Sequence, residues 1–104
     1  MLQTIKNIFG FGPTINYKQL IKSGAQLIDV RTIAEFNSGH IKGSLNIPLQ
    51  ILLDNLAKLK RDKPVIVCCA SGMRSASAKN VLKSKGFTEV HNGGSWVSLQ
   101  NKIS

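Results

Sequence analysis

Acidic residues are scarce: five Asp and Glu stand against fourteen Lys and Arg in 104 residues, a formal net charge of +9. A field of that sign raises the local concentration of small anions and attracts acidic partners. Aromatic residues are scarce too, at 6%. The cations are scattered, with only Lys58, Lys60, Arg61 and Lys63 close together, and no row of aromatics offers a base-stacking platform. Nucleic acid is therefore not an expected partner. The only two cysteines, Cys68 and Cys69, are adjacent. Neighbouring side chains of a strand point to opposite faces, which disfavours a disulfide between them, so reduced thiols are expected. With no Cys-x-x-Cys pair and only His40 and His91 as imidazoles, no metal site and no cofactor are expected. No apolar run is long enough to span a bilayer. Polar residues interrupt Leu2, Ile5, Ile8 and Phe9, which rules out the continuous core of a signal peptide. Their helical spacing predicts a short amphipathic segment over residues 1–14 that packs on the domain instead of anchoring a membrane, and a cytoplasmic address. No long polar or Pro-rich stretch divides the remaining chain, so residues 15–104 are read as one domain, and a monomer.

Helical and extended patterns alternate along that domain. Asn16 caps a helix over Tyr17 to Lys22 that stops at Ser23-Gly24, and Leu27 to Val30 reads as a buried strand. Thr32 and Glu35 have capping-box spacing, which predicts a helical turn over Ile33 to Asn37 and assigns Glu35 the role of a cap. A short strand is expected near Ser44 to Asn46, followed by an amphipathic helix from Leu49 to about Leu59 with Leu52 and Leu56 facing the core. Pro64 to Cys68 is an unbroken apolar run, the mark of a central strand covered on both faces. An Ala-rich helix is expected from Ser75 to Lys85-Gly86, then a short strand around Thr88 to Val90 and a terminal helical piece with Trp96 and Leu99. The implied class is α/β, a mainly parallel central sheet of about four or five strands flanked by helices on both faces. Ligands of such sheets bind beyond the carboxyl ends of the strands, where Cys69 falls.

A cysteine between a buried strand and a helix start is surrounded by backbone N–H groups with no intrahelical partner and by the positive end of the helix dipole. Both favour a thiolate, which lowers the thiol pKa from about 8.5 into the roughly 3.5–7.5 range of such sites. Gly72 lets the backbone curl, while Ala70, Ser71 and Ser75 are small enough to leave a shallow bowl with Met73 and Arg74 closing it. Arg74 adds a permanent positive charge and is expected to help keep the sulfur anionic. Cys68, on the other face of the strand, is read as a neutral neighbour. Asp29 and Arg31 are read as a tie between a strand end and its loops, Trp96 as packing near the active loop at its rim, and His40 and His91 as structural.

In this order, several segments resemble the rhodanese family over almost the whole chain, from Tyr17 to Trp96. They are Leu27 to Arg31, Glu35-Phe36 with Gly39-His40-Ile41, Gly43-Ser44 through Pro48, Val65 to Ser75, and Gly93 to Trp96. The resemblance implies a rhodanese-like fold and a sulfurtransferase in which Cys69 is the nucleophile and the loop Ala70 to Ser75 holds its persulfide. The implied donor is a small sulfur anion such as thiosulfate, or a persulfide. The implied acceptor is cyanide or a thiol, including glutathione or a thioredoxin-like protein. Phosphatases and arsenate reductases of the same fold use five residues between Cys and Arg; here there are four, which favours sulfur over the larger tetrahedral oxyanions. A sulfur carrier or interaction module with little turnover is the alternative. Beyond Arg74 the loop has no second basic residue, so weak thiosulfate turnover is expected.

Overall fold

The computed structural model describes residues 14–104, so the segment assigned to residues 1–14 lies almost wholly outside the described residues. Four strands make one parallel sheet in the order β2-β1-β3-β4, with β1 at Gln26–Asp29, β2 at Leu45–Asn46, β3 at Val65–Cys69 and β4 at Val90–Ser95. Every residue of β3 is buried, as a central strand between two helical layers requires. Its side chains alternate between two cores. Val65, Val67 and Cys69 join Ile28, Val30, Leu52, Ala78 and Leu82 on one face, whereas Ile66 and Cys68 join Leu27, Ile41 and Leu99 on the other. The adjacent cysteines are therefore free and belong to different cores.

Helix α1 (Tyr17–Lys22) starts where the Asn16 side chain accepts from the Gln19 amide. Helix α2 (Ile33–Ser38) starts on the complete capping box of Thr32 and Glu35. Helix α3 (Met73–Ser84) covers the first core, and α4 (Trp96–Ile103), capped by Ser95, covers the second together with α1.

The segment after β2 and the last strand depart from the sequence expectation. Residues Leu49–Lys58 form a 3-10 helix broken at Asn55 (φ −125°, ψ 19°), not a continuous α-helix. The three-residue spacing of Leu49 and Leu52, and of Leu53, Leu56 and Leu59, is the period of a 3-10 helix. The break resets the phase, so Leu52 is buried and Leu56 packs on the core while Leu53 is exposed. The last strand begins later than expected and runs through Gly93 and Gly94 to Ser95. The ladder carries a β-bulge there, because Val67 pairs with Asn92 while its neighbour Cys68 pairs with Gly94. Gly93 is the extra residue. A Cβ there would lie 2.9 Å from Leu99 Cδ2, 3.1 Å from Ile66 Cγ2 and 3.2 Å from the Val67 carbonyl oxygen, so the bulge needs glycine.

Candidate functional site

Strand β3 ends at Cys69, and α3 begins only four residues later. The turn between them depends on Gly72, the N-cap of α3, whose φ of +101° lies in the left-handed region that L side chains rarely adopt. The Gly72 carbonyl accepts the first helical bond, from Ala76, so the helix starts at Met73, two residues ahead of the expected start. That places Arg74 and Ser75 in its first turn, where amides lack helical partners.

Those amides converge on sulfur. Gly72 N–H donates to Cys69 Sγ at 2.9 Å and Ser75 N–H donates at 3.4 Å, with the Ser75 hydroxyl also 3.4 Å away. Burial by itself would push the Cys69 thiol up. The Ser75 hydroxyl and the amides of Ser75, Gly72 and Ser71 outweigh it, and the pKa lies below the ordinary thiol value. Cys68 has no such donors: desolvation, reinforced by the Asp29 charge, pushes it up to about 12. One residue apart on one strand, the two thiols are driven in opposite directions. Cys69 itself shows no exposed surface, beneath a loop whose Ala70 and Ser71 are open to solvent and whose Met73 is 80% exposed.

Arg74 is held by Glu35, while its charge also acts through space on Cys69. Its Nη1 and Nη2 donate to Glu35 Oε1 and Oε2 at 2.7 and 2.9 Å, and among the described hydrogen bonds none runs from its guanidinium to Sγ. A cation in the first turn of a helix opposes the dipole, and the Glu35 carboxylate offsets it. Glu35 is thus more than a cap: it keeps its bonds to the Thr32 amide and hydroxyl while clamping the loop arginine. The Arg74 bonds, then those to Thr32, hold its carboxyl at about 2, well below the usual carboxylate range.

A second residue passed over in the sequence is Asn92, which the bulge in β4 brings to the loop. Its Oδ1 accepts from Ser75 Oγ at 2.6 Å and from the Gly94 amide at 2.9 Å, and its Nδ2 donates to the Gly72 carbonyl at 3.2 Å. Asn92 is therefore a positioning residue for both Gly72 and Ser75. The available signal was an amide side chain directly before Gly93-Gly94, where a bulge re-aims side chains at a strand end.

Asp29 and Arg31 meet as a buried ion pair, with Arg31 Nη2 2.7 Å from Asp29 Oδ2. Arg31 also donates to the carbonyls of Glu35 (3.1 Å), within α2, and Gly39 (2.6 Å), its C-cap, and so fixes the segment that presents Glu35 to Arg74. Trp96 stacks with this tie: the Arg31 guanidinium lies 4.6 Å from the indole centroid, and the ring packs at Gly39 within the second core. Its described contacts are thus with the Arg31 tie and the second core. His40 stacks on Phe36 and bonds its carbonyl, and His91 pairs with Glu89. Beside Arg74 a cavity of about 140 Å³ is lined by Val30, Thr32, Pro48, Leu49 and Gln50. Among the described residues no cluster of potential ligands suits a metal ion, and no helix is long and apolar enough to cross a membrane.

Residues 14–102 match the family model of the rhodanese-like domain. The chain is 46% identical over 68 residues to protein YqhL of Bacillus subtilis, covering 65% of this chain and 54% of that protein. It is 37% identical over 79 residues to thiosulfate sulfurtransferase GlpE of Pseudomonas savastanoi, covering 76% of this chain and 74% of the relative. The chain thus spans about half the length of the Bacillus relative and about three quarters of the Pseudomonas one. Among solved structures, the human single-domain sulfurtransferase TSTD1 superimposes with a TM-score of 0.71 at 28% identity, over 89% of this chain and 99% of that one.

Proposed function

The chain belongs to the rhodanese-like sulfurtransferase family, and from that premise we propose that it transfers sulfane sulfur through a persulfide on Cys69. The observation that carries the reading is the amide cradle. Gly72 N–H at 2.9 Å and Ser75 N–H at 3.4 Å stabilise negative charge on Sγ in a buried site, where such bonds count for more than in water. The Cys69 thiolate attacks the outer sulfur of a donor. With thiosulfate, the S–S bond breaks and sulfite leaves with the electron pair. The persulfide is then attacked at its outer sulfur by cyanide or by a thiolate such as that of glutathione or a thioredoxin-like dithiol, and Sγ departs as the thiolate it began as. Two displacements replace one difficult transfer. No general base is needed when the nucleophile is already ionised. Because Cys69 is fully covered, the loop Ala70 to Ser75 must yield for the donor sulfur to reach it.

Purified protein given thiosulfate and cyanide should release thiocyanate and leave an aryl phosphate intact. Sulfur loading without thiocyanate release would instead make the protein a carrier, and phosphate release without sulfur transfer would overturn the assignment.

A further inference from the structure

The donor's charge is the question the Glu35 clamp bears on. Arg74 is the only cation in the loop from Cys69 to Ser75, and each of its terminal nitrogens donates to the same carboxylate. The other side chains lining the adjoining cavity, those of Val30, Thr32, Pro48, Leu49 and Gln50, are all uncharged. The second arginine on the α2 side, Arg31, is buried and paired with Asp29. What the loop presents to an arriving anion is therefore an ion pair close to neutral, however positive the chain is as a whole.

We infer that Glu35 is a specificity-determining residue: by pairing with Arg74 it neutralises the loop's one cation toward a doubly charged donor, so the site prefers sulfur donors of lower charge to thiosulfate. The inference rests on the sulfurtransferase reading and narrows its donor class to monoanionic or neutral sulfane compounds, such as thiosulfonates and organic persulfides or polysulfides. A dianion approaching Arg74 meets a guanidinium already neutralised by bonds of 2.7 and 2.9 Å to Glu35, with that carboxylate beside the incoming charge. A monoanion meets less of that repulsion, and the cavity beside Arg74 is partly walled by the apolar Val30, Pro48 and Leu49. The step is the same for each donor: Sγ–S forms, the donor's S–S bond breaks, and sulfite leaves thiosulfate where sulfinate leaves a thiosulfonate.

The test compares kcat/KM for thiosulfate with that for methanethiosulfonate, cyanide as acceptor, each divided by the donor's rate with a free thiolate. Wild type should favour the monoanion. Glu35→Gln keeps an acceptor for the Thr32 amide and removes the charge, and it should raise the thiosulfate-to-thiosulfonate ratio about fivefold, the upper end for a half-exposed charge. The gain should shrink as salt is added. Any change in the Cys69 thiolate fraction cancels in the ratio. A wild-type preference for thiosulfate, or an unchanged ratio in folded Glu35→Gln, would overturn the inference. If wild type draws sulfur from neither donor, the sulfurtransferase reading itself fails, which is a separate result.

Discussion

Replacing Ser75 with alanine tests what holds the Cys69 thiolate. The Ser75 hydroxyl has one proton and three acceptors within reach: Asn92 Oδ1 at 2.6 Å, the Gly72 carbonyl at 3.1 Å and Sγ at 3.4 Å. A charged sulfur competes for that proton, whereas a neutral thiol does not, so the hydroxyl stabilises the thiolate selectively. A hydrogen bond to a charged group is worth about 1.5–3 kcal/mol, less for diffuse sulfur at 3.4 Å. About 1.4 kcal/mol corresponds to one pKa unit, so Ser75→Ala should raise the Cys69 midpoint by roughly one unit or somewhat less. It should not restore an ordinary buried thiol, because the Gly72 and Ser75 amides remain. The assay is the rate of iodoacetamide alkylation against pH. Cys68, fully buried and pushed up to about 12, contributes little below pH 10. Arg74→Ala in the same assay should move the midpoint less than Ser75→Ala does, since Arg74 donates to Glu35 and not to Sγ. A larger shift from Arg74→Ala than from Ser75→Ala would refute the assignment of thiolate stabilisation to the cradle.

Two further outcomes concern stability. Asp29→Ala leaves the Arg31 guanidinium buried without its carboxylate and should cost about 3–5 kcal/mol by urea unfolding; a loss under about 1 kcal/mol would mean that the pair does not brace the strand end. The folded Cys68 thiol titrates at about 12 against 9.0 for the ordinary group, so the folded state binds more protons between those values and stability falls as pH rises through that window. Cys68→Ala should flatten this alkaline loss in a thermal-melt series, and an unchanged slope would show that another group causes it.

Local chemistry made much of this molecule legible. The Asn16 and Thr32–Glu35 caps join residues three apart in sequence, and the helices they start lie where the spacing put them. The apolar run Pro64 to Cys68 announced a strand buried on both faces, which is observed one residue on at Val65–Cys69, and alternation alone separated Cys68 from Cys69. What stayed hidden depends on long-range placement. Glu35 and Arg74 are 39 residues apart and meet where Arg31 ties the middle and the C-terminal end of α2 to the end of β1. Asn92 reaches the loop only through a bulge whose register no local pattern reveals. The 3-10 geometry of Leu49–Lys58 was missed because an amphipathic stripe read at α-helical period accommodates the same leucines.

The central claim is that one thiol, Cys69, carries the transferred sulfur. Intact-mass measurement after incubation with a sulfane donor, then after addition of cyanide, tests it most directly. The wild-type chain should gain the mass of one sulfur atom and lose it to cyanide, Cys68→Ala should do the same, and Cys69→Ser should gain nothing. Sulfur retained by Cys69→Ser, or lost from Cys68→Ala, would contradict the account.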